Sequence, residues 1–334
     1  MSVDADLAAM MDSVFADLRD NTPSGAELWS RLDDLGLVRL TGPESAGGSG
    51  AGWPEAAELL SAAVRHGVRV PLAEHDLLAC WLLDATDTPY YPAPRTLALL
   101  DEDLRADGVP WTSDAERIVV VWPGTDGYEL ADVEPSGLAI TKGANMIGEP
   151  RDTVLATGLS GVPVDPGLVA QVRHRAALIR AIQVCGALDR TLELSIEHVG
   201  SRVQFGRPLA KFQAIQNLIS DIAAEAALAR AATEGALSRA IADEWAGPDV
   251  EFAVAVARSC SGHAASVAVR NAHQVHGAIG TTIEHRLHEY TRAALAWRSE
   301  YGSVRYWDQR VAELAGGAPD LWDLIAPAPG ERTP

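Results

Sequence analysis

Residues 201–213 read Ser-Arg-Val-Gln-Phe-Gly-Arg-Pro-Leu-Ala-Lys-Phe-Gln. Gly206 and Pro208 interrupt a helical pattern that resumes on both sides. Upstream, residues 168–200 place Val172, Ile179, Ile182, Leu188, Leu192, Ile196 and Val199 on overlapping apolar stripes. Downstream, residues 210–245 carry Phe212, Ile215, Leu218, Ile219, Ile222, Leu228 and Leu237 among many alanines. Pro248 and Asp249 open a third helix that runs to about His276. Long alanine-rich helices joined by short breaks predict a helical bundle. The break itself holds Arg202, Arg207 and Lys211 in a chain with 27 Lys+Arg against 46 Asp+Glu, a formal net charge of −19. Guanidinium forks match phosphate oxygens, so this basic turn is a candidate phosphate contact.

N-terminal to the bundle the character changes. From Pro89 to about Pro166 the chain is rich in Pro, Gly and Asp, with β-branched runs at 96–100, 118–122, 128–131, 138–141 and 154–157. Turn signals at Thr125-Asp-Gly127 and Pro135-Ser-Gly137 separate them. The reading is a small antiparallel β domain. The first ninety residues form short helices. Residues 4–20 show a three-and-four apolar spacing, and Ser24 to Glu27 has the form of a capping box. Leu28, Leu32 and Leu35 form a stripe that Gly36 ends, Pro54 starts a third helix that stops near Gly67, and residues 73–84 form a fourth. The fold expected is mainly α with a small β domain. Its parts are an N-terminal helical domain (1–90), a middle antiparallel β domain (91–166), a C-terminal four-helix bundle (167–318) and a tail (319–334).

At 334 residues and 47% hydrophobic content the chain is globular and large enough for two or three domains. The acidic balance argues against nucleic acid and an anionic membrane surface. Cys80, Cys185 and Cys260 are far apart and lack CxxC spacing, which excludes a cysteine zinc site and suits a reducing cytoplasm. No signal peptide is read at the N-terminus, and no run of about 20 uninterrupted apolar residues occurs. The glycine-rich stretch 46–52 continues into Trp53-Pro54 rather than Gly-Lys-Ser/Thr, so it reads as an interhelical loop. His273/His276 and His285/His288 are i, i+3 pairs, with Glu284 beside the second, but zinc also needs a carboxylate of suitable reach and an open site, and the pairs read as histidines lining a helix face, with no metal expected. Cys185 and Cys260 read as inert thiols in apolar helices.

Two segments together carry a resemblance. Arg202-x-x-Phe205-Gly206-x-Pro208-Leu209-x-x-Phe212-Gln213-x-x-Gln216 is the more specific. Gln274-Val-His-Gly277-x-x-Gly280-x-Thr282-x-Glu284-His285-x-x-His288 is the second. With Leu35-Gly-Leu37, Pro43-Glu44 and Pro71 to Ala79, they resemble the acyl-CoA dehydrogenase family, in particular the short actinobacterial-type subunits of its heteromeric members. The resemblance covers most of the chain and implies FAD, an acyl-CoA thioester from fatty acid or sterol side-chain metabolism, and α,β-dehydrogenation. It implies that Arg202 meets the FAD pyrophosphate with Gln204 and Phe205 beside it. Phe212 and Gln213 would line the adenosine side. Gln274, Gly277 and the backbone at Ala278 would touch the pyrophosphate of an FAD held mainly by a neighbouring subunit. A composite site implies an oligomer, usually a dimer of dimers, with electron-transfer flavoprotein as a candidate acceptor.

The chain departs from the family's pattern at the base. The family's catalytic Glu commonly follows the second signature. Counting from Gln274 without gaps puts that position at Tyr301, with Glu300 one residue early. On a helix that offset is about 100°. The alternative family position falls near Ala176, and no acidic residue lies between Asp165 and Asp189. The Thr-Glu-Pro-x-x-Gly-Ser flavin-ring stretch is missing between Leu97 and Pro110, and Trp111-Thr-Ser113 only echoes a second one. Ala278 stands where a Gly is usual.

Three functional readings follow. The chain is the base-lacking partner subunit of a heteromeric acyl-CoA dehydrogenase. Alternatively it is a self-sufficient homomeric enzyme using Glu300, or a helical scaffold that has lost flavin binding. The retained basic motif from Arg202 to Gln213 argues against the scaffold.

Overall fold

Met11, Phe15 and Leu18 are the residues that helix α1 (Ala5–Asn21) buries, at the spacing expected for one helical face. The computed structural model describes residues 3–21, 25–125 and 127–320, together with 322 and 324. It divides into two compact units, Met1–Ile179 and Arg180–Pro334. In the first, α2 (Gly25–Asp34) ends as expected at Gly36, with φ +70°. Ser24 lies outside the described residues, so the capping box is not seen. In α3 (Trp53–His66) Pro54 occupies the first turn, the Glu55 carboxylate accepts from Gly52 N–H at 3.0 Å, and Gly67 closes the helix at φ +73°.

The fourth helix differs from the simple α-helix expected. Residues Ala73–Cys80 are π-helical, followed by a short α4 (Trp81–Ala85). The wider turn accompanies three buried polar side chains, Glu74, His75 and Asp76. Asp76 is held by the Arg39 guanidinium at 2.6 Å and by the Thr41 backbone N–H and hydroxyl at 2.9 and 3.0 Å.

Seven strands follow: β1 (Arg95–Leu99), β2 (Arg105–Pro110), β3 (Arg117–Gly124), β4 (Gly127–Val133), β5 (Ala139–Thr141), β6 (Arg151–Leu155) and β7 (Val162–Val164). They form a four-stranded sheet, β1-β3-β4-β7, and a three-stranded sheet, β2-β6-β5. The pairings are antiparallel except that β1 runs parallel to β3. The exception arises because β2 crosses to the second sheet, which lets β3 return beside β1 in the same direction. Strands β2 and β7 escape the sequence pattern because Asp, Gly and Pro dilute their β-branched residues. Ile118, Val120 and Trp122 of β3 enter a core with Ala98, Leu100, Val109, Val154 and Ala156. Val119 and Val121, on the opposite face of β3, are also buried, which explains the uninterrupted apolar run.

Helix α5 (Pro166–Ser201) precedes a two-stranded hairpin, β8 (Val203–Gln204) and β9 (Arg207–Pro208). The second unit continues with α6 (Gln213–Ala242), α7 (Pro248–His276), α8 (Leu287–Trp297) and α9 (Val304–Gly317). Helices α6 and α7 bury alanine faces, Ala226, Ala229, Ala236 and Ala240 on one and Ala257, Ala264, Ala265 and Ala268 on the other, which permits close packing. Gly262 of α7 approaches α9, where an added Cβ would lie 2.6 Å from Val304. The segment Pro248–Thr281 is long and apolar enough to cross a membrane by composition, but 61% of its most apolar window is buried inside the protein. Of the tail, only residues 319, 320, 322 and 324 are described.

Candidate functional site

The hairpin β8–β9 presents the basic motif. Its turn residues, Phe205 and Gly206, have φ of +51° and +80°, the geometry of a tight hairpin turn with left-handed backbone at both central positions. Glycine adopts this freely, but for phenylalanine it costs about 1–2 kcal/mol. Phe205 is nevertheless 89% exposed, its ring edge-on to Phe212 at 6.1 Å. Arg207 lies over the Phe212 ring at 4.2 Å. Arg202, Gln204 and Gln213 are exposed. Gln213 Nε2 donates to Asn217 Oδ1, whereas the Arg202 guanidinium has no hydrogen bond or ion pair among the described residues. The hairpin therefore holds out an available cation and an aromatic face.

The second signature lies at the end of α7. Gln274 is exposed, and Gly277 turns the chain with φ +62° and ψ −143°, a conformation that strains any side chain. Ala278 follows, also exposed. Arg202, Gln204, Phe205, Phe212 and Gln213 thus share one connection, and Gln274, Gly277 and Ala278 share another.

Glu300 lies in the turn between α8 and α9, not on a helix, so the expected rotation about a helix axis does not describe it. Tyr301 beside it has left-handed backbone, φ +53°. The Glu300 carboxylate accepts from Arg180 Nε at 2.7 Å. Arg180 is buried on α5, its guanidinium also bonded to Gln183 Oε1 at 2.6 Å and lying 5.4 Å from the centre of the Tyr301 ring. Arg258 of α7, 1% exposed, braces the same turn by donating to the carbonyls of Arg298 at 3.1 Å and Glu300 at 2.7 Å. Burial and the nearby Arg180 push the Arg258 guanidinium down to about 9, with Glu300 opposing, so it remains a cation at pH 7.

Sequence reasoning missed Arg180 and Arg258. The available signal was an arginine on the apolar stripe of a long helix. Such a residue requires compensation when buried. The alternative base position, Ala176, is fully buried and neutral.

In the first unit, the link from β1 to β2 is a short acidic turn. Asp101 Oδ1 accepts from the backbone N–H groups of Asp103 and Arg105 at 3.0 and 2.9 Å. Trp111-Thr-Ser113 forms the next turn. The hydroxyls of Thr112 and Ser113 and the Ser113 N–H all donate to Asp152 Oδ2, at 2.6, 2.6 and 2.9 Å. Burial raises the Asp152 carboxyl, but these bonds and one from Gly143 N–H outweigh it and hold the group below the usual carboxylate range. A depressed folded pKa stabilises the fold above the unfolded value of about 4, and that contribution is lost as pH falls through the folded value. Asp152→Ala is expected to destabilise the protein by roughly 3 kcal/mol at pH 7, because several donors lose their acceptor. Urea titrations at pH 7 and near pH 3 should show the difference from wild type shrinking in acid.

A cavity of about 990 Å³ in the same unit is lined by Trp29, Arg39, His75, Cys80, Tyr90 and Arg95, among others. Burial, with Arg39 and Arg95 nearby, pushes His75 down to about 3, and burial pushes Cys80 up to about 12. Neither is a proton donor or thiolate at neutral pH. Burial also raises Cys185 and Cys260, Cys185 being fully enclosed and Cys260 half-buried.

The pattern of the acyl-CoA dehydrogenase C-terminal domain matches residues 171–305. The acyl-CoA dehydrogenase IpdE2 of Mycobacterium tuberculosis is 31% identical over 313 residues, covering 89% of this chain and 87% of that protein. The chain belongs to the acyl-CoA dehydrogenase family. FadE34 of the same organism is 27% identical over 92% of this chain, which spans 44% of that longer protein. The ChsE4-ChsE5 complex of Mycobacterium tuberculosis superposes with a TM-score of 0.83 at 21% identity, covering 96% of this chain and 99% of the matched one.

Members of this family use FAD, and the residues present in this chain fit parts of that cofactor unequally. The exposed Arg202 guanidinium, the Phe205–Phe212 aromatic pair and the Gly277 turn suit a pyrophosphate and an adenosine. The ring end is poorly served. The acidic turn at 101–103 places carboxylates where the family's ring-binding stretch is missing, and the Thr112 and Ser113 hydroxyls are directed to Asp152.

Proposed function

We propose that this chain is the partner subunit of a heteromeric acyl-CoA dehydrogenase, lacking its own base and completing the FAD site of a Glu-bearing chain. The observation that carries this reading is the Arg180–Glu300 pair. A base must present a carboxylate to the substrate α-carbon, and Glu300 presents its carboxylate to a buried guanidinium. The unequal fit to FAD supports the same reading. So does one structural neighbour, itself a complex of two differently named chains.

FAD, when bound, supplies the hydride acceptor. In the proposed assembly Arg202 grips the pyrophosphate, Gln204 and Phe205 flank it, and Phe212 and Gln213 cover the adenosine side. Gln274, Gly277 and the Ala278 backbone reach the pyrophosphate held mainly by the partner. The proposal includes an acyl-CoA thioester of fatty acid or sterol side-chain type, a dimer of dimers, electron-transfer flavoprotein as acceptor and a cytoplasmic setting. It also keeps the division at residues 90, 166 and 318.

Co-purification tests it. Expressed alone, the chain is expected to show little bound flavin. Expressed with its Glu-bearing partner, it should yield a yellow complex that turns over acyl-CoA. A lone chain with stoichiometric FAD and acyl-CoA turnover would overturn the proposal.

A further inference from the structure

Three histidines with no role in the reading above meet in the second unit. His198 lies near the end of α5, His276 is the last residue of α7, and His285 sits in the turn before α8. One ring nitrogen of each lies within 4.8 Å of the other two. His198 stacks on His276 with ring centres 4.5 Å apart, and His285 meets His276 at 4.6 Å and 66°. The i, i+3 pairs of the sequence are not what clusters. His273 Nε2 lies 3.0 Å from Thr291 Oγ1, and His288 Nδ1 lies 2.8 Å from the His285 carbonyl.

His276 is the informative member. It is 5% exposed, and its Nδ1 lies 2.8 Å from the Ala272 carbonyl oxygen. A carbonyl only accepts, so Nδ1 carries the proton and Nε2 carries a lone pair. That Nε2 is buried and has no hydrogen-bond partner among the described residues. The Leu194 carbonyl also acts on the ring. A buried lone pair among other acceptors is costly until a donor or a cation reaches it. A neutral imidazole with a free ring nitrogen is the form that ligates metals.

We propose that His198, His276 and His285 form a binding site for one divalent transition-metal ion of the zinc class, with a fourth position open to water. Three imidazoles and an open position are a known zinc ligand set, and imidazole also suits copper and nickel. The Nδ1–H of His276 on the Ala272 carbonyl is the outer hydrogen bond that fixes a ligating ring. Loading the site turns His198 out of its stack and draws His285 from the Leu287 N–H, which its Nδ1 now accepts at 3.1 Å. Both side chains are only partly buried, so both can turn. Glu197 favours positive charge near His285, while Arg202 opposes it near His198. The bound ion ties the ends of α5 and α7 to the loop carrying Gly277 and Ala278. It is a clasp and carries no redox step.

The test uses the tag-free full chain, as isolated with any co-purifying partner, stripped with a chelator and titrated with Co²⁺ and then Zn²⁺. Expected are one Co²⁺ per chain with the visible bands of a four-coordinate ion, displacement by Zn²⁺, and a raised melting temperature. His198→Gln and His285→Gln should each weaken binding at least about tenfold, while His288→Gln should not. His198 and His285 are half-buried, and unchanged circular dichroism separates lost ligation from lost fold. The absence of a saturable Co²⁺ site, or equal binding by wild type and both triad variants, would overturn the proposal.

Discussion

Glu300→Gln is expected to leave kcat of the assembled heteromer unchanged while lowering this chain's stability by about 3 kcal/mol. The stability loss follows from Arg180, whose side chain is 2% exposed and would lose its carboxylate partner at 2.7 Å. Removing one member of a buried ion pair costs about 3–5 kcal/mol, because the remaining charge is desolvated without compensation. Arg258, equally buried beside the same turn, would feel the loss too, since Glu300 supports its charged form. A double change, Arg180→Met with Glu300→Leu, should recover most of the stability, because two apolar residues carry no such penalty. The kinetic half separates the readings. Removing a working general base lowers the rate by about 10²–10⁴. Steady-state rates on the complex, with urea titration of the chain, read both halves. A fall of more than about a hundredfold in kcat with the fold intact would instead make Glu300 the base of a self-sufficient enzyme.

Arg202→Ala in the assembled protein is expected to weaken FAD binding by about tenfold to a hundredfold. A charge-assisted hydrogen bond to an anion contributes about 1.5–3 kcal/mol, and the change removes it. The guanidinium is exposed and not engaged by another described side chain, so the wild-type protein breaks no internal pair on binding. Arg207→Ala should cost less, because Arg207 already rests on Phe212. Raised salt should shrink the Arg202 effect, as screening requires for an exposed contact. Flavin released on equilibrium dialysis measures each case. Equal FAD retention by wild type and Arg202→Ala would remove the hairpin from the cofactor site and favour the scaffold reading.

The basic turn, the end of α7 and the order of helical region, β region and helical region were readable in advance because their determinants are close in sequence. Gly206 and Pro208, two residues apart, disfavour a continuing helix through their own backbone properties, and apolar spacing reports a helical face without reference to any partner. The strain at Phe205 was not readable, since the positive φ belongs to the closed hairpin. Strand β2 was missed because its polar composition conceals a strand that pairs β6 about 45 residues away.

The chain's local chemistry, by itself, determined the family, the fold class and the candidate phosphate contact. Tertiary structure decided the rest. Arg180 and Glu300 are 120 positions apart, and only folding brings guanidinium to carboxylate. Asp152 meets Thr112 and Ser113 across about 40 residues, and His198 meets His276 and His285 from three separate elements. A charge or lone pair has no defined energy until its neighbours and its burial are known, and distant parts of the chain supply both.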